Sequence, residues 1–235
     1  MNESTPDRDR PVIDPPPRVT VPVQGGGQFP VRRIYCVGRN YAAHIREMGG
    51  SEREQPFFFQ KPADAIVLSG SQVRYPARTD DLQHEIELVL AIGGRGRELP
   101  VAQARALVFG VAVGVDLTRR DLQNQARDVG RPWESGKAFD ASAPITAIRP
   151  LDGAAAIPST GSITLSVNGV LRQKGRLEEM IWNCEEVVSQ LSQLFELHPG
   201  DLIYTGTPSG VGRLVRGDRI EGAVEGVGTL SITIV

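Results

Sequence analysis

Residues 82–93, with the sequence LQHEIELVLAIG, constrain the fold most, because they read as a core strand that begins with ionisable side chains. Side chains alternate between the two faces of a strand, so Glu85 and Glu87 share one face and His84 lies on the other. The glutamate face continues with Val89, which predicts that the carboxylates are buried. Buried carboxylates need a positive partner. We expect a cation beside the glutamates and a structural role for His84.

A third carboxylate, Asp116, ends the apolar strand GVAVGV and precedes a predicted helix over residues 119–129, for which Thr118 is the expected N-cap. An isolated Glu-x-Glu pattern more often faces water. Three clustered carboxylates would raise one another's pKa, and a divalent cation relieves this repulsion. An all-oxygen site of this kind selects Mg²⁺ or Mn²⁺.

Short β-like runs dominate the rest of the chain, and helices are expected only at 100–109, 119–129 and about 178–196. Asn168-Gly169 follows an alternating strand and predicts a hairpin with a type I′ turn. Because strands and helices do not alternate regularly, we predict a mixed, mainly β α+β domain.

The first part of the chain, residues 1–28, is rich in proline and ends in a run of glycines, which predicts a mobile extension before a domain at 29–235. The 235 residues carry a net charge of −2, which indicates neither nucleic acid nor an anionic membrane as partner. No apolar run approaches the roughly 18 residues of a membrane span. Cys36 and Cys184 read as buried thiols of a cytoplasmic protein, although a disulfide between them stays open.

Three further segments carry candidate site residues. In GRNYAAHIREMGG, Asn40 is the expected cap of a short helix that would place His44 and Glu47 on one face. That pair is either a general base for activating water or an ordinary surface salt bridge. Lys137, taken alone, is typical of a surface lysine. The glycine-rich YTGTPSGVG lacks the lysine of a phosphate loop and indicates only close approach of backbone to a ligand.

Taken together and in order, six blocks resemble the fumarylacetoacetate hydrolase family, and most of all its short acylpyruvate and fumarylpyruvate hydrolase branch. The blocks are GRNYAAHIREMG, PFFFQKP, HEIELVLAIG, GVDLTRRDLQ, GKAFDASAPI and GDLIYTGTPSGVG. The resemblance runs from about residue 31 to the C-terminus. It does not explain the N-terminal extension.

The resemblance implies a mixed β-roll fold with few peripheral helices, a homodimer and a Mg²⁺ or Mn²⁺ site. It implies that the metal ligands are Glu85, Glu87 and Asp116, and that the catalytic residues are His44, Glu47 and Lys137. A lid spanning about residues 39–55 would carry the water-activating pair. The implied substrate-binding residues are Arg39, Lys61, Arg120, Gln123, Gly206 and Thr207.

The activity that the resemblance implies is metal-dependent hydrolysis of the C–C bond of a 2,4-dioxo acid. Fumarylpyruvate, from gentisate-type aromatic breakdown, is the first expectation, giving fumarate and pyruvate. Within the family, the alternatives are oxaloacetate decarboxylation and the isomerisation or decarboxylation of a hydroxymuconate-type diacid. A non-catalytic dimeric binding protein is the alternative from another class, against which intact His44, Glu47 and Lys137 speak.

Overall fold

The computed structural model describes residues 11–41, 54–153 and 155–235, and its regular structure is mostly β-strand. The first nine strands are β1 (Thr20–Pro22), β2 (Gln28–Pro30), β3 (Arg33–Gly38), β4 (Phe57–Lys61), β5 (Ile66–Leu68), β6 (Gln72–Val73), β7 (Leu82–His84), β8 (Ile86–Ile92) and β9 (Val108–Val115). The other nine are β10 (Thr118–Arg119), β11 (Ala143–Ile145), β12 (Arg149–Pro150), β13 (Ser162–Val167), β14 (Val170–Arg176), β15 (Asp201–Tyr204), β16 (Gly212–Leu214), β17 (Arg219–Val224) and β18 (Gly228–Ile234).

The largest sheet is mixed and has the strand order β4-β3-β15-β8-β9-β11-β5, with β12 also pairing with β9. Strand β15 runs parallel to β3, and β11 runs parallel to β5, whereas the central pair β8 and β9 is antiparallel. No βαβ alternation produces this order. The predicted class, a mainly β α+β domain, is therefore confirmed.

A second sheet has the order β14-β13-β17-β18-β6 and contains the predicted hairpin. Its turn consists of Asn168 and Gly169, with φ of 52° and 76°. Positive φ at both central residues is what a type I′ turn requires, which Asn and Gly tolerate best. Two small sheets, β1-β2 and β10-β7-β16, complete the fold.

Strand β8 is buried on both faces, and its side chains divide between two hydrophobic clusters as the alternation predicts. Ile86, Leu88 and Leu90 pack in a cluster with the inward residues of the second sheet. Val89 and Ala91 pack in a cluster on the other side. The face that carries the glutamates therefore becomes apolar within two residues, which buries their carboxylates.

The hairpin of β1 and β2 begins inside the predicted extension and covers the second cluster. Val21 is fully buried there, and the ring of Phe29 stacks on Phe109 of β9 with 5.7 Å between the centroids. The chain is thus packed against the domain from about Thr20 onward. The mobility of the residues before Thr20 stays a prediction.

Four α-helices occur in the described residues: Val101–Ala104, Arg120–Asp128, Glu134–Lys137 and Cys184–Leu194. Short 3₁₀ turns extend the first and precede the last, so the predicted helices at 100–109 and 178–196 are shorter than expected. The predicted N-cap is wrong: Thr118 lies in β10, and Arg119 precedes the helix without a side-chain cap. No helix in the described ranges is long and apolar enough to cross a membrane.

Candidate active site

The three predicted carboxylates lie together and are buried. Glu85, Glu87 and Asp116 each present an oxygen within 4.8 Å of the others. The antiparallel pairing of β8 with β9 explains this, because Ile86 is opposite Val115 and the start of one strand meets the end of the other. The backbone N–H of Asp116 donates to the carbonyl of Glu85 at 2.8 Å. The predicted cluster is therefore formed by strand register.

The electrostatics of this cluster favour a bound cation. Burial raises the pKa of Glu87 well above its usual range, and the neighbouring carboxylates of Asp116 and Glu85 raise it further. Burial would also raise the pKa of Glu85, but Lys137 and Arg120 outweigh burial and hold this pKa below its ordinary value. One carboxylate is thus compensated by cations and another is not.

The donor set fits a hard divalent ion. All donors are carboxylate oxygens, which Mg²⁺ and Mn²⁺ prefer over softer ions. Oδ1 of Asp116 is buried and accepts no hydrogen bond from the described residues, although the Lys61 ammonium lies 2.8 Å away as an ion pair. Glu85, Glu87 and Asp116 together offer carboxylate oxygens to a metal, next to a cavity that both glutamates line.

Lys137 is not the surface lysine that its position suggests when taken alone. Its Nζ donates to Glu85 Oε2 at 2.8 Å, to Asp116 Oδ2 at 2.6 Å and to Thr118 Oγ1 at 2.7 Å. Burial would lower the pKa of this ammonium, but Asp116 and Glu85 raise it above its usual value. Lys137 is therefore a fixed positive charge at the edge of the carboxylate cluster.

Lys61 contacts the carboxylate cluster through Asp116, and its predicted role in substrate binding stays a prediction. Its buried ammonium pairs with Asp116 and donates to the carbonyl oxygens of Leu117, at 3.1 Å, and Lys137. These contacts hold Asp116 and the Lys137 backbone in place.

Arg120 is held rigidly beside Glu85 by three side chains. Its guanidinium donates to Glu85, to Gln123 and, at 2.8 Å, to Gln83. A guanidinium fixed in this way is pre-oriented to bind a planar oxygen ligand. The helix Arg120–Asp128 therefore places both predicted residues, Arg120 and Gln123, next to the carboxylates.

A cavity of about 300 Å³ opens over the carboxylates. Seven predicted site residues line it: Arg39, Glu85, Glu87, Arg120, Gln123, Lys137 and Thr207. The aromatic side chains of Phe57, Phe59 and Trp133 also line it. The cavity therefore combines charged and aromatic side chains.

The Gly206-Thr207 loop contacts the cluster through its backbone. The N–H of Gly206 donates to Glu87 Oε2 at 2.7 Å, with φ at 98°. A Cβ at this position would lie 2.7 Å from Cβ of Asn40, so only glycine fits. The glycine-rich segment predicts close approach of backbone to a bound ligand, which stays a prediction, and the contact that the structure contains is with the side chain of Glu87.

Asn40 supports the same loop. Its amide nitrogen donates to the carbonyls of Thr205 and Trp182, and its Oδ1 accepts from the N–H of Trp182 at 2.8 Å. The side chain thus has a role that the predicted helix cap does not anticipate. His44 and Glu47 lie in residues 42–53, outside the described residues, and their pairing stays a prediction.

His84 is structural, as predicted, and its partner Gln173 is a residue that the sequence does not single out. The Oε1 of Gln173 accepts from the N–H of Ile86 at 3.1 Å and is 2.9 Å from His84 Nδ1. Its Nε2 donates to Thr207 Oγ1 and to the carbonyl of Pro208. One buried amide therefore connects the glutamate strand to the glycine loop.

The position of Gln173 in the predicted hairpin could have indicated its role. Gln173 is opposite Leu165, at an inward-facing position that strand alternation assigns to the core. A fully buried glutamine at such a position requires hydrogen-bond partners, so it points to a polar network.

Comparison with known proteins gives the family. The model of the fumarylacetoacetate (FAA) hydrolase C-terminal family matches residues 33–235. The chain belongs to the fumarylacetoacetate hydrolase family. The matched range contains every candidate site residue, and it leaves out the whole of the predicted extension, residues 1–28.

The named relatives of this chain differ in activity. A fumarylpyruvate hydrolase of Ralstonia sp is 46% identical over 181 residues, which cover 77% of this chain and 93% of the relative. A mitochondrial oxaloacetate tautomerase of Rattus norvegicus is 40% identical over 198 residues, covering 83% and 88%. The crystal structure of fumarylpyruvate hydrolase from Pseudomonas aeruginosa in complex with Mn²⁺ and pyruvate superposes with a TM-score of 0.93, at 50% identity, and covers 96% of this chain and 99% of that one.

Proposed function

We propose that this protein is a metal-dependent C–C bond hydrolase that converts fumarylpyruvate to fumarate and pyruvate. The observation that carries the proposal is the buried cluster of Glu85, Glu87 and Asp116 with Lys137 bonded at its edge, under a cavity of substrate size. The likeness to a fumarylpyruvate hydrolase that binds Mn²⁺ and pyruvate supports it.

Glu85, Glu87 and Asp116 would hold the metal. When bound there, Mg²⁺ or Mn²⁺ supplies a Lewis acid for the 2-oxo carboxylate end of the substrate. Arg120 is fixed beside Glu85 and can donate to the substrate carboxylate, and Gln123 and Thr207 line the same cavity. These contacts orient the substrate with its acyl chain toward the aromatic wall.

The ammonium of Lys137 would stabilise the negative charge that develops during C–C bond cleavage. When the C3–C4 bond breaks, its electron pair passes to the pyruvate half and negative charge develops on the C2 oxygen. A buried ammonium that is already fixed by Glu85 and Asp116 stabilises that charge without reorganisation. Its raised pKa keeps it protonated at neutral pH.

Hydrolysis also requires an activated water. His44, oriented by Glu47, is the proposed base: it takes one proton of the water, whose oxygen attacks the C4 carbonyl carbon. After the C3–C4 bond breaks, a proton passes to C3, which completes pyruvate, and the water oxygen remains in the new carboxylate of fumarate. This pair is assigned from the sequence alone.

Oxaloacetate chemistry is the second candidate, because tautomerases are among the relatives. Enolisation or decarboxylation of oxaloacetate uses the same carboxylates and the same ammonium, but it consumes no attacking water. The third possibility within the family, isomerisation or decarboxylation of a hydroxymuconate-type diacid, also proceeds without hydrolysis.

A substrate panel separates these reactions. Pyruvate release is measured from fumarylpyruvate, acetylpyruvate and oxaloacetate with Mg²⁺, Mn²⁺ or EDTA, in the wild type and in His44→Ala. We expect metal-dependent release from the acylpyruvates that falls about 10²–10⁴-fold in the variant. Pyruvate released from oxaloacetate alone would contradict the hydrolase proposal.

Two further properties, the oligomeric state and the cellular location, are also proposed. A homodimer is implied by the resemblance to the family, and mass measurement by light scattering tests it. A cytoplasmic location is supported by Cys36 and Cys184, which are both buried and free, as in proteins of reducing compartments.

A further inference from the structure

The helix Arg120–Asp128 turns one face toward the cavity along most of its length. Arg120, Gln123, Asn124 and Arg127 line the cavity, and their spacings of three, four and seven residues are those of a single helical face. Arg127 lies two turns beyond Arg120, about 10 Å further along the helix axis. Arg127 therefore gives the cavity a further cationic position, two helical turns from Arg120 and in addition to Arg39 and Lys137.

Arg127 differs from Arg120 and Lys137, two of the other cations that line the cavity, in its partner. Arg120 and Lys137 are bonded to the buried carboxylate of Glu85. Among the described residues, the guanidinium of Arg127 pairs only with Asp128, its neighbour in the chain, at 2.9 Å. Their side chains are 40% and 63% exposed. An exposed ion pair of this kind contributes little, so a ligand carboxylate can replace Asp128 easily.

The wall of the same cavity contains three aromatic rings, those of Phe57, Phe59 and Trp133. The ring of Trp133 meets Phe57 edge to face with 5.2 Å between the centroids, and it lies 5.9 Å from the ring of Phe59. Aromatic faces of this kind suit a flat, conjugated carbon chain better than a hydrated polar one. A ligand with two anionic groups joined by a planar chain matches this combination of separated cations and aromatic rings.

We propose that Arg127 binds the distal carboxylate of a dicarboxylic substrate and so selects 2-oxo diacids over 2-oxo monoacids. The inference rests on the proposed function for the orientation of the ligand, with its 2-oxo end at the carboxylate cluster. Arginine binds carboxylates with two parallel hydrogen bonds, and Asn124 on the same helical face also lines the cavity. Arg127 is thus a specificity-determining residue.

The direct test is binding, because it does not depend on turnover. The affinities of 2-oxoheptanedioate and 2-oxoheptanoate, which lack a C4 carbonyl, are measured by calorimetry on the Mn²⁺-loaded protein. We expect the wild type to prefer the diacid at least about 10-fold. Arg127→Gln should weaken diacid binding about 10- to 100-fold and change monoacid binding less than about two-fold.

Two controls isolate the guanidinium. Asp128→Asn removes the neighbouring partner and leaves the diacid preference in place. Arg131→Gln removes an exposed arginine that does not line the cavity and changes neither affinity. Equal affinities of the wild type for the two acids, or an equal loss of both in Arg127→Gln, would overturn the inference.

A kinetic arm separates this inference from the proposed function. In Arg127→Gln, kcat/KM should fall for fumarylpyruvate and stay unchanged for acetylpyruvate, which has no distal carboxylate. One combination of results supports the Arg127 site and contradicts the hydrolase proposal. In that case the wild type binds the diacid preferentially, Arg127→Gln lacks this preference, and the wild type hydrolyses neither acylpyruvate.

Discussion

The Nζ atom of Lys137 lies 2.8 Å from Oε2 of Glu85, although 52 residues separate the two in the chain. This contact places a permanent cation at the edge of a buried carboxylate cluster. The ammonium and a metal ion therefore compensate the same negative charge.

Replacing Lys137 with Met should destabilise the metal-free protein by about 3–5 kcal/mol, the cost of leaving buried charges without their partner. Added Mn²⁺ should then restore more stability than it adds to the wild type, since it supplies the missing charge. Urea denaturation in EDTA and in Mn²⁺ measures both effects. Lys174→Met, at an exposed position of β14, is the control. The interpretation is contradicted if the free energy of unfolding gained on adding Mn²⁺ is no larger in Lys137→Met than in the wild type.

Replacing Glu87 with Gln should have opposite effects on stability and on metal binding. Glu87 is buried beside two other carboxylates and accepts a hydrogen bond from Gly206, which an amide oxygen can also accept. The variant removes repulsion, so the Tm in EDTA should rise, by about 2–4 °C for each kcal/mol relieved. The gain in Tm on adding Mn²⁺ should be lost. A lower Tm in EDTA would show that the carboxylate is not destabilising.

Gln173→Leu tests the amide that joins the glutamate strand to the glycine loop. The change leaves the N–H of Ile86 and the hydroxyl of Thr207 without their partner in the interior, which should cost about 2–4 kcal/mol. Gln193→Leu is the matched control, because Gln193 is exposed and its hydrogen bonds are long, at 3.5 Å. Similar denaturation midpoints for the two variants would rule out a structural role for Gln173.

Gly206→Ala tests the close approach of the loop to Asn40, with Gly70→Ala as control. Both glycines have φ above 90°, but a Cβ at Gly70 meets nothing within 4 Å. The control should cost about 1 kcal/mol from backbone strain alone. Gly206→Ala should cost more and should also weaken Mn²⁺ binding, because the N–H to Glu87 moves. Equal costs in urea denaturation, with Mn²⁺ affinity unchanged, would argue against this role.

Much of the site follows from strand alternation, which is a local property of the sequence. The shared face of Glu85 and Glu87, the opposite placement of His84 and the strand end at Asp116 could all be predicted in this way. The antiparallel register that joins Asp116 to the glutamates is a tertiary feature. It could be expected only from the chemistry that three acids imply.

Other parts depend on contacts that no local pattern reports. Thr118 has the sequence of a helix cap, but its hydroxyl instead accepts from Lys137, because the buried ammonium needs a third oxygen. The resemblance implies that Lys61 contacts the substrate, whereas in the structure its ammonium forms an ion pair with Asp116. Gln173 comes from a different sheet, and only the packing of β14 against β8 gives it a role.

The most direct test of the central claim is the fate of solvent oxygen during turnover. Fumarylpyruvate is incubated with the Mn²⁺-loaded protein in water enriched in ¹⁸O, and the fumarate is examined by mass spectrometry. Hydrolysis by an activated water predicts that the fumarate carries solvent ¹⁸O, that its formation requires the metal, and that it falls about 10²–10⁴-fold in His44→Ala. Failure to form fumarate, or fumarate without the label, would contradict a C–C hydrolase at Glu85, Glu87 and Asp116.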